Sequence, residues 1–276
     1  MNIAIIGLGI IGGSFCKAFK QHTDHHIIGI NRTPEVAQEA LSTGAIDEIG
    51  SEQSLKKADV VFLCMYPQAC VDYIRKNGAY IKKGALVTDA AGIKRAICPQ
   101  LKELSEQFGF TFVGSHPMAG KEKNGFGVSD AELYKGASFI IVPCGAPQEA
   151  VDKLSGLALS IGFGSVTIST PEEHDRMIAF TSQLPHVLAC AYVLSPSCPN
   201  HKGFSAGSYR DVSRVANINA RLWSELFLEN REPLIEELDI LAENIGNIIS
   251  AVKDNDVDRL TQLLEQGHKV KQALGE

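Results

Sequence analysis

Residues 1–15 read MNIAIIGLGIIGGSF: a short apolar run, then Gly7-Leu8-Gly9-Ile10-Ile11-Gly12, then a helical pattern. A strand that turns through three glycines into a helix is the entry to a dinucleotide-binding α/β fold. Gly7 permits the tight turn, and Gly9 lets the backbone come close to a pyrophosphate. Gly12 lets helix and strand pack tightly. The backbone of Ile10 and Ile11 opens the helix, whose unpaired N–H groups face the phosphates. A bare structural turn would use the same glycines; the strand–turn–helix context selects the cofactor reading.

Outward from this turn, apolar runs at 26–30, 60–65, 86–89, 111–114, 138–142 and 165–168 alternate with helical stretches at 11–21, 34–43, 70–77, 94–108 and 148–161. Continuous apolar strands alternating with helices predict a doubly wound, mostly parallel sheet covered on both faces. The second strand ends at Asn31-Arg32-Thr33, where an NAD enzyme usually carries a carboxylate for the ribose hydroxyls. A guanidinium and a hydroxyl without a carboxylate favour the 2′-phosphate of NADP over NAD.

From Thr170 the pattern changes. Thr170-Pro171-Glu172-Glu173 is a capping box that starts a helix of about 171–194, kinked at Pro185. Leu234, Leu238, Leu241, Ile245, Ile248 and Val252 then recur at spacings of four and three, an apolar seam on one helix face, and a last helix is expected near 256–270. The chain therefore divides into a Rossmann-type domain, 1–168, and an all-helical domain, 169–276. The seam serves either as a core within one subunit or as a shared homodimer core, and the length of the helices favours the dimer.

A net charge of −6 provides no basic field for nucleic acid or an anionic membrane. No apolar run is long enough to span a bilayer, and the glycine-interrupted N-terminus lacks the basic flank of a signal peptide. Seven cysteines without a CxxC pair indicate neither a disulfide framework nor a metal site, and point to a reducing, cytoplasmic setting.

Within this frame, Ser115-His116-Pro117-Met118-Ala119-Gly120 follows a strand at the sheet edge where such folds bind ligands. An ordinary imidazole can take a proton from a hydroxyl at neutral pH, so His116 is the candidate base. Arg210 and Arg214 stand four apart, on one face if helical, and could hold a dianionic acid. The bland alternative is an exposed pair with Asp211 between them. His174-Asp175 and His186 lie on the long helix.

Taken in order, GLGIIGGS (7–14), VTDAAGIK (87–94), SHPMAGKEKNGF (115–126), EEHDRMIAFTSQLPH (172–186), GSYRDVSRVA (207–216) and LWSELFLEN (222–230) make the chain resemble the prephenate/arogenate dehydrogenase family, over nearly its whole length. The resemblance implies a monofunctional enzyme of tyrosine biosynthesis that oxidatively decarboxylates a cyclohexadiene acid. It implies His116 as catalytic base and Arg214 on a substrate carboxylate, assisted by Arg210. His186 becomes a substrate-side residue and His174, with Asp175, a supporting one at the substrate; Asp89 joins Gly7, Gly9, Ile10, Ile11, Gly12, Asn31, Arg32 and Thr33 at the cofactor. Two departures stand out: Gly92 where the family usually has a serine, and Gln183 where many members have a histidine. Arogenate is the alternative substrate. A β-hydroxyacid dehydrogenase is disfavoured because no lysine lies between Lys153 and Lys202. A non-catalytic NADP-binding redox sensor would explain Gly92 but not the retained His116 and Arg214.

Overall fold

The computed structural model describes residues 1–276 apart from Glu122 and Glu276. Among the described residues eight strands form one sheet. They are β1 (Asn2–Ile6), β2 (His26–Ile30), β3 (Glu48–Ile49), β4 (Val60–Leu63), β5 (Leu86–Asp89), β6 (Thr111–Pro117), β7 (Ser138–Val142) and β8 (Ser165–Ile168), in spatial order β3-β2-β1-β4-β5-β6-β7-β8. The order runs outward from β1 in both directions, so the crevice at the carboxyl end of β1 is the switch point where such sheets bind ligands. β1 pairs in parallel with β2 and β4, with Ile3 opposite both Ile27 and Val60.

Residues facing alternate sides of these strands build two cores. On one side Ile3, Ile5, Val60 and Phe62 pack with Phe15 and Phe19 of α1 (Ile10–His22), Ala37 of α2 (Pro34–Ser42) and, further along the sheet, Leu154 of α5 (Gln148–Ser160). On the other, Ala4, Ile6, Val61 and Leu63 pack with Val71 of α3 (Pro67–Asn77) and Leu101 of α4 (Cys98–Phe108). Burial on both faces is what makes the strands read as unbroken apolar runs. Aromatic rings reinforce the first core: Phe15 lies 4.5 Å from Tyr134, whose hydroxyl donates to the Ile11 carbonyl at 2.7 Å.

The structure departs from the sequence expectations in several places; β3 is not among the expected strands, and α3 begins at Pro67 and not at 70. β6 runs three residues further than 114, so His116 lies on a strand and not on the loop after it. There it pairs with β7, which is antiparallel, with His116 opposite Ile140. α4 begins at Cys98, because Lys94 closes a tight turn instead of opening a helix. The long helix is split into α6 (Pro171–Ile178), a π-helical turn (Ala179–Gln183) and α7 (Leu184–Val193). Pro185 has no N–H to give the carbonyl four residues back, and the turn before it widens to compensate.

Helices α8 (Gly207–Ser213) and α9 (Ala220–Glu229) complete the first of two compact units, Met1–Asn230. The second unit, Arg231–Glu276, contains α10 (Arg231–Lys253) and α11 (Val257–Ala273) packed on one another. The elements change from mixed to all-helical after β8, whereas the compact units part at residue 230, later than the expected boundary at 168.

Candidate active site

The glycine turn has the geometry of a phosphate cradle. Gly7 holds φ at +92°, in the region that favours glycine, and its N–H donates to the Ile30 carbonyl at 2.9 Å. A Cβ at Gly7 would run into the Cys64 carbonyl, and one at Gly12 into the Gly7 carbonyl. At Gly9 a Cβ would meet no heavy atom within 4 Å, which leaves the space above the turn open. α1 carries no acidic residue in its first turn, so its N-terminal dipole is unopposed. These features fit a dinucleotide pyrophosphate. Asn31 reaches across from the end of β2, its side-chain oxygen accepting from the Leu8 N–H at 3.0 Å and its amide donating to the Thr33 carbonyl at 3.1 Å. Arg32 and Thr33 are exposed beside it.

His116 stands at the far end of β6, half-buried, where its neighbour Ser115 is tied to β5. The Ser115 N–H donates to Asp89 Oδ1 at 3.1 Å and its hydroxyl to the Asp89 carbonyl at 2.5 Å. Asp89, expected at the cofactor, is fully buried with Oδ2 facing Lys94 Nζ at 2.5 Å. Lys94 is itself fully buried, and also donates to the carbonyls of Ala91 at 2.7 Å and Ile93 at 3.2 Å. This pair braces the loop beneath His116 and has no surface left for a ligand.

Behind His116 a second histidine closes in. His116 Nδ1 lies 3.0 Å from His174 Nε2, and His174 Nδ1 lies 2.7 Å from Asp175 Oδ1. The family resemblance implies a place for His174 at the substrate. Instead its ring has no exposed surface and both nitrogens are engaged. The Asp175 carboxylate is gripped by the N–H groups of Lys94 and Arg95, each at 2.8 Å. Burial, aided by His174 and the Lys94 cation, holds the His116 imidazole well below its ordinary 6.5; burial also lowers His174, against the pull of Asp175.

Gln183, one of the two departures, occupies a structural position. Its amide donates to the Leu226 carbonyl at 3.0 Å and accepts from Asn230 at 2.8 Å, and Asn230 also donates to the Asp175 carbonyl at 2.8 Å. At Gly92, the other departure, a Cβ would sit 3.4 Å from Leu226 and 3.9 Å from His116 Cε1, so the site has room for a side chain.

His186 stacks on Trp223, ring centroids 3.7 Å apart, with Nδ1 2.7 Å from the Ser182 carbonyl. Arg214 lines a cavity of about 340 Å³ with Lys121, Lys123 and Asn217. Lys121 and Lys123 belong to the loop that continues from His116, within SHPMAGKEKNGF (115–126); the motif shows both lysines, but spacing alone does not bring them to Arg214. Arg210 is not among the residues lining it; it stands exposed with its guanidinium 3.9 Å from Asp211. Among the described residues no group of three or more His, Cys, Asp or Glu is arranged to hold a metal.

Comparison with known proteins places this geometry. The model of the prephenate dehydrogenase nucleotide-binding domain matches residues 15–166, and that of the prephenate dehydrogenase dimerization domain matches residues 170–266. A cyclohexadienyl dehydrogenase of Zymomonas mobilis is 30% identical, over 99% of this chain and 96% of its own length. The structure of a prephenate dehydrogenase from A. aeolicus, in complex with hydroxyphenyl propionate and NAD+, superposes with a TM-score of 0.86 at 27% identity, covering 100% of this chain and 98% of that one. An arogenate dehydrogenase from Synechocystis shares the fold, with a TM-score of 0.84 at 24% identity over 99% of this chain and 100% of its own.

Proposed function

The chain belongs to the prephenate dehydrogenase family, and we propose that it converts prephenate to 4-hydroxyphenylpyruvate and carbon dioxide with NADP as cofactor. The observation that carries this reading is His116: a histidine at the end of β6, in the same sheet as the glycine turn, whose imidazole is held well below its ordinary value by burial. A nicotinamide dinucleotide held by Gly7, Gly9 and Gly12 would supply the acceptor for the hydride of ring C4. The chain's own work is to position and to move one proton. His116 takes the proton of the C4 hydroxyl as the ketone develops, the ring carboxylate leaves as carbon dioxide, and aromatisation supplies the driving force.

Arg214, Lys121 and Lys123 around one cavity suit an acid with two carboxylates and no ammonium, which is why prephenate is preferred here to arogenate. Arg210, exposed and outside that cavity lining, is assigned an assisting role on the approach of the anion. His186, fixed on Trp223, is assigned to the substrate side. Arg32 and Thr33, exposed at the end of β2, are the groups that would receive a 2′-phosphate.

The matched dimerization domain and the seam of α10 together support a homodimer. Ile245, Ile248 and Val252 are exposed in the single chain, at 40%, 38% and 60%. A seam left uncovered on one copy is explained by a second copy. Among the described residues no helix is long and apolar enough to cross a membrane, and the seven cysteines are free thiols, in keeping with a reducing cytoplasm.

Absorbance at 340 nm tests the assignment, with prephenate and arogenate each offered alongside NADP and NAD. The fastest rise is expected with prephenate and NADP. No rise with either acid, from protein shown to bind the reduced cofactor, would overturn it.

A further inference from the structure

His174 and Asp175 lie behind His116, not in front of it, and their order along one hydrogen-bonded chain has a chemical direction. A carboxylate only accepts. Asp175 is held in that role by the N–H groups of Lys94 and Arg95, so the proton between it and His174 belongs to His174 Nδ1. A neutral imidazole with its proton on Nδ1 has a bare Nε2. That bare nitrogen faces His116 Nδ1 at 3.0 Å, and it can only accept the proton there.

We propose that Asp175 and His174 are positioning residues that hold His116 in the tautomer protonated on Nδ1, leaving Nε2 bare to take the substrate's hydroxyl proton. The proposal rests on the assignment of His116 as the base. Among the described residues none hydrogen-bonds to His116 Nε2, so it is the nitrogen left for the substrate. The direction of the chain depends on His174 being neutral. A doubly protonated His174 would donate to His116 Nδ1 and force the other tautomer, in which Nε2 carries a proton and no base remains. Burial of His174 beside the Lys94 cation opposes that state.

Two ionisable groups act on His116, His174 from α6 and Lys94 from the turn after β5, and two more act on His174, Asp175 beside it and Asp89 from β5. Lys94 pairs with Asp89 and still acts as a cation on both histidines. Asp175 is then the anion that answers the charge His116 gains. When a proton enters at His116 Nε2, the Nδ1 proton can pass to His174 Nε2. His116 is again neutral, His174 is the imidazolium and Asp175 stays ionised; one proton has entered and none is lost. The same arrangement explains why a glycine is tolerated at position 92: His116 is oriented from behind, without needing a hydroxyl there.

Two measurements test this. In the unmutated protein with 15N-labelled histidine, assigned with the His116→Asn and His174→Gln variants, His116 should show a protonated Nδ1 and a bare Nε2 at neutral pH. A protonated Nε2 overturns the proposal whatever the enzyme's substrate proves to be. In turnover, His174→Ala should lower kcat by roughly tenfold or more while the KM for prephenate stays within about threefold. His174→Gln should recover much of the loss, because its amide can donate to Asp175 and accept from His116 Nδ1. A raised KM with unchanged kcat in His174→Ala would return His174 to the substrate and overturn the positioning role. If wild-type protein turns over neither acid, the functional assignment fails, and the tautomer measurement still decides the hydrogen-bond chain.

Discussion

His116 combines three properties that a base needs, and each comes from a different part of the chain: a strand end for position, burial for neutrality and His174 for orientation. Replacing it with asparagine should lower kcat by about 10² to 10⁴-fold and leave cofactor binding intact, as read by turnover and by cofactor fluorescence titration. His116 and His174 both resist protonation in the folded state, whereas an unfolded chain protonates them near 6.5. As pH falls through 6.5 the unfolded chain therefore binds more protons than the native one, and stability drops. Urea midpoints measured from pH 7.5 down to 5.5 should decline, and His174→Gln should flatten the decline. Lys94→Met would leave the Asp89 carboxylate buried without its cation, a loss of about 3–5 kcal/mol that urea unfolding would reveal. The candidate base was legible in the sequence because its histidine follows a strand at the sheet edge where a dinucleotide-binding fold takes its ligands; a lone histidine after a strand is otherwise more often structural. The Asp175 grip behind it was not, because the Lys94 N–H meets Asp175 across 81 residues and nothing local announces that meeting.

Among the elements, seven of the eight strands were legible, since a sheet buried on both faces demands continuous apolar runs; the two-residue β3 was too short to show, and β6 outran its apolar run by three residues. Direction was not: β7 is as apolar as its neighbours, and side-chain pattern does not distinguish an antiparallel strand from a parallel one. That reversal lets β6 continue to Pro117 with a partner for its backbone, and so carries His116 on a rigid element. The start of α6 was readable from Thr170, whose side chain accepts from the Glu173 N–H at 3.2 Å. Thr170→Ala should cost about 1 kcal/mol and lower Tm by about 2–4 °C in a calorimetric scan. Because α6 presents His174 and Asp175, the same change should lower kcat more than KM. The π-helical turn lay beyond sequence reading in detail; Pro185 marked a disturbance but not its form.

At the scale of the molecule, the charge, the two families of elements and the seam on α10 were visible from composition and spacing alone. Which way the seam faces was not, because an apolar stripe is written identically for a core and for an interface. Its exposure on the single chain favours the interface. Ile245→Asp combined with Ile248→Asp should convert the dimer to monomer in light scattering after size exclusion, while the near-ultraviolet signal of the dinucleotide-binding region persists. A dimer unchanged by both aspartates would place the contact elsewhere. The stripe also makes endurance a matter of dilution. A fold completed by a second copy gains stability by mass action, so its melting point should climb with concentration. If a second copy covers the stripe, weak solutions held for long periods should lose protein to vessel walls and to precipitate sooner than strong ones, because dilution returns Ile245, Ile248 and Val252 to water.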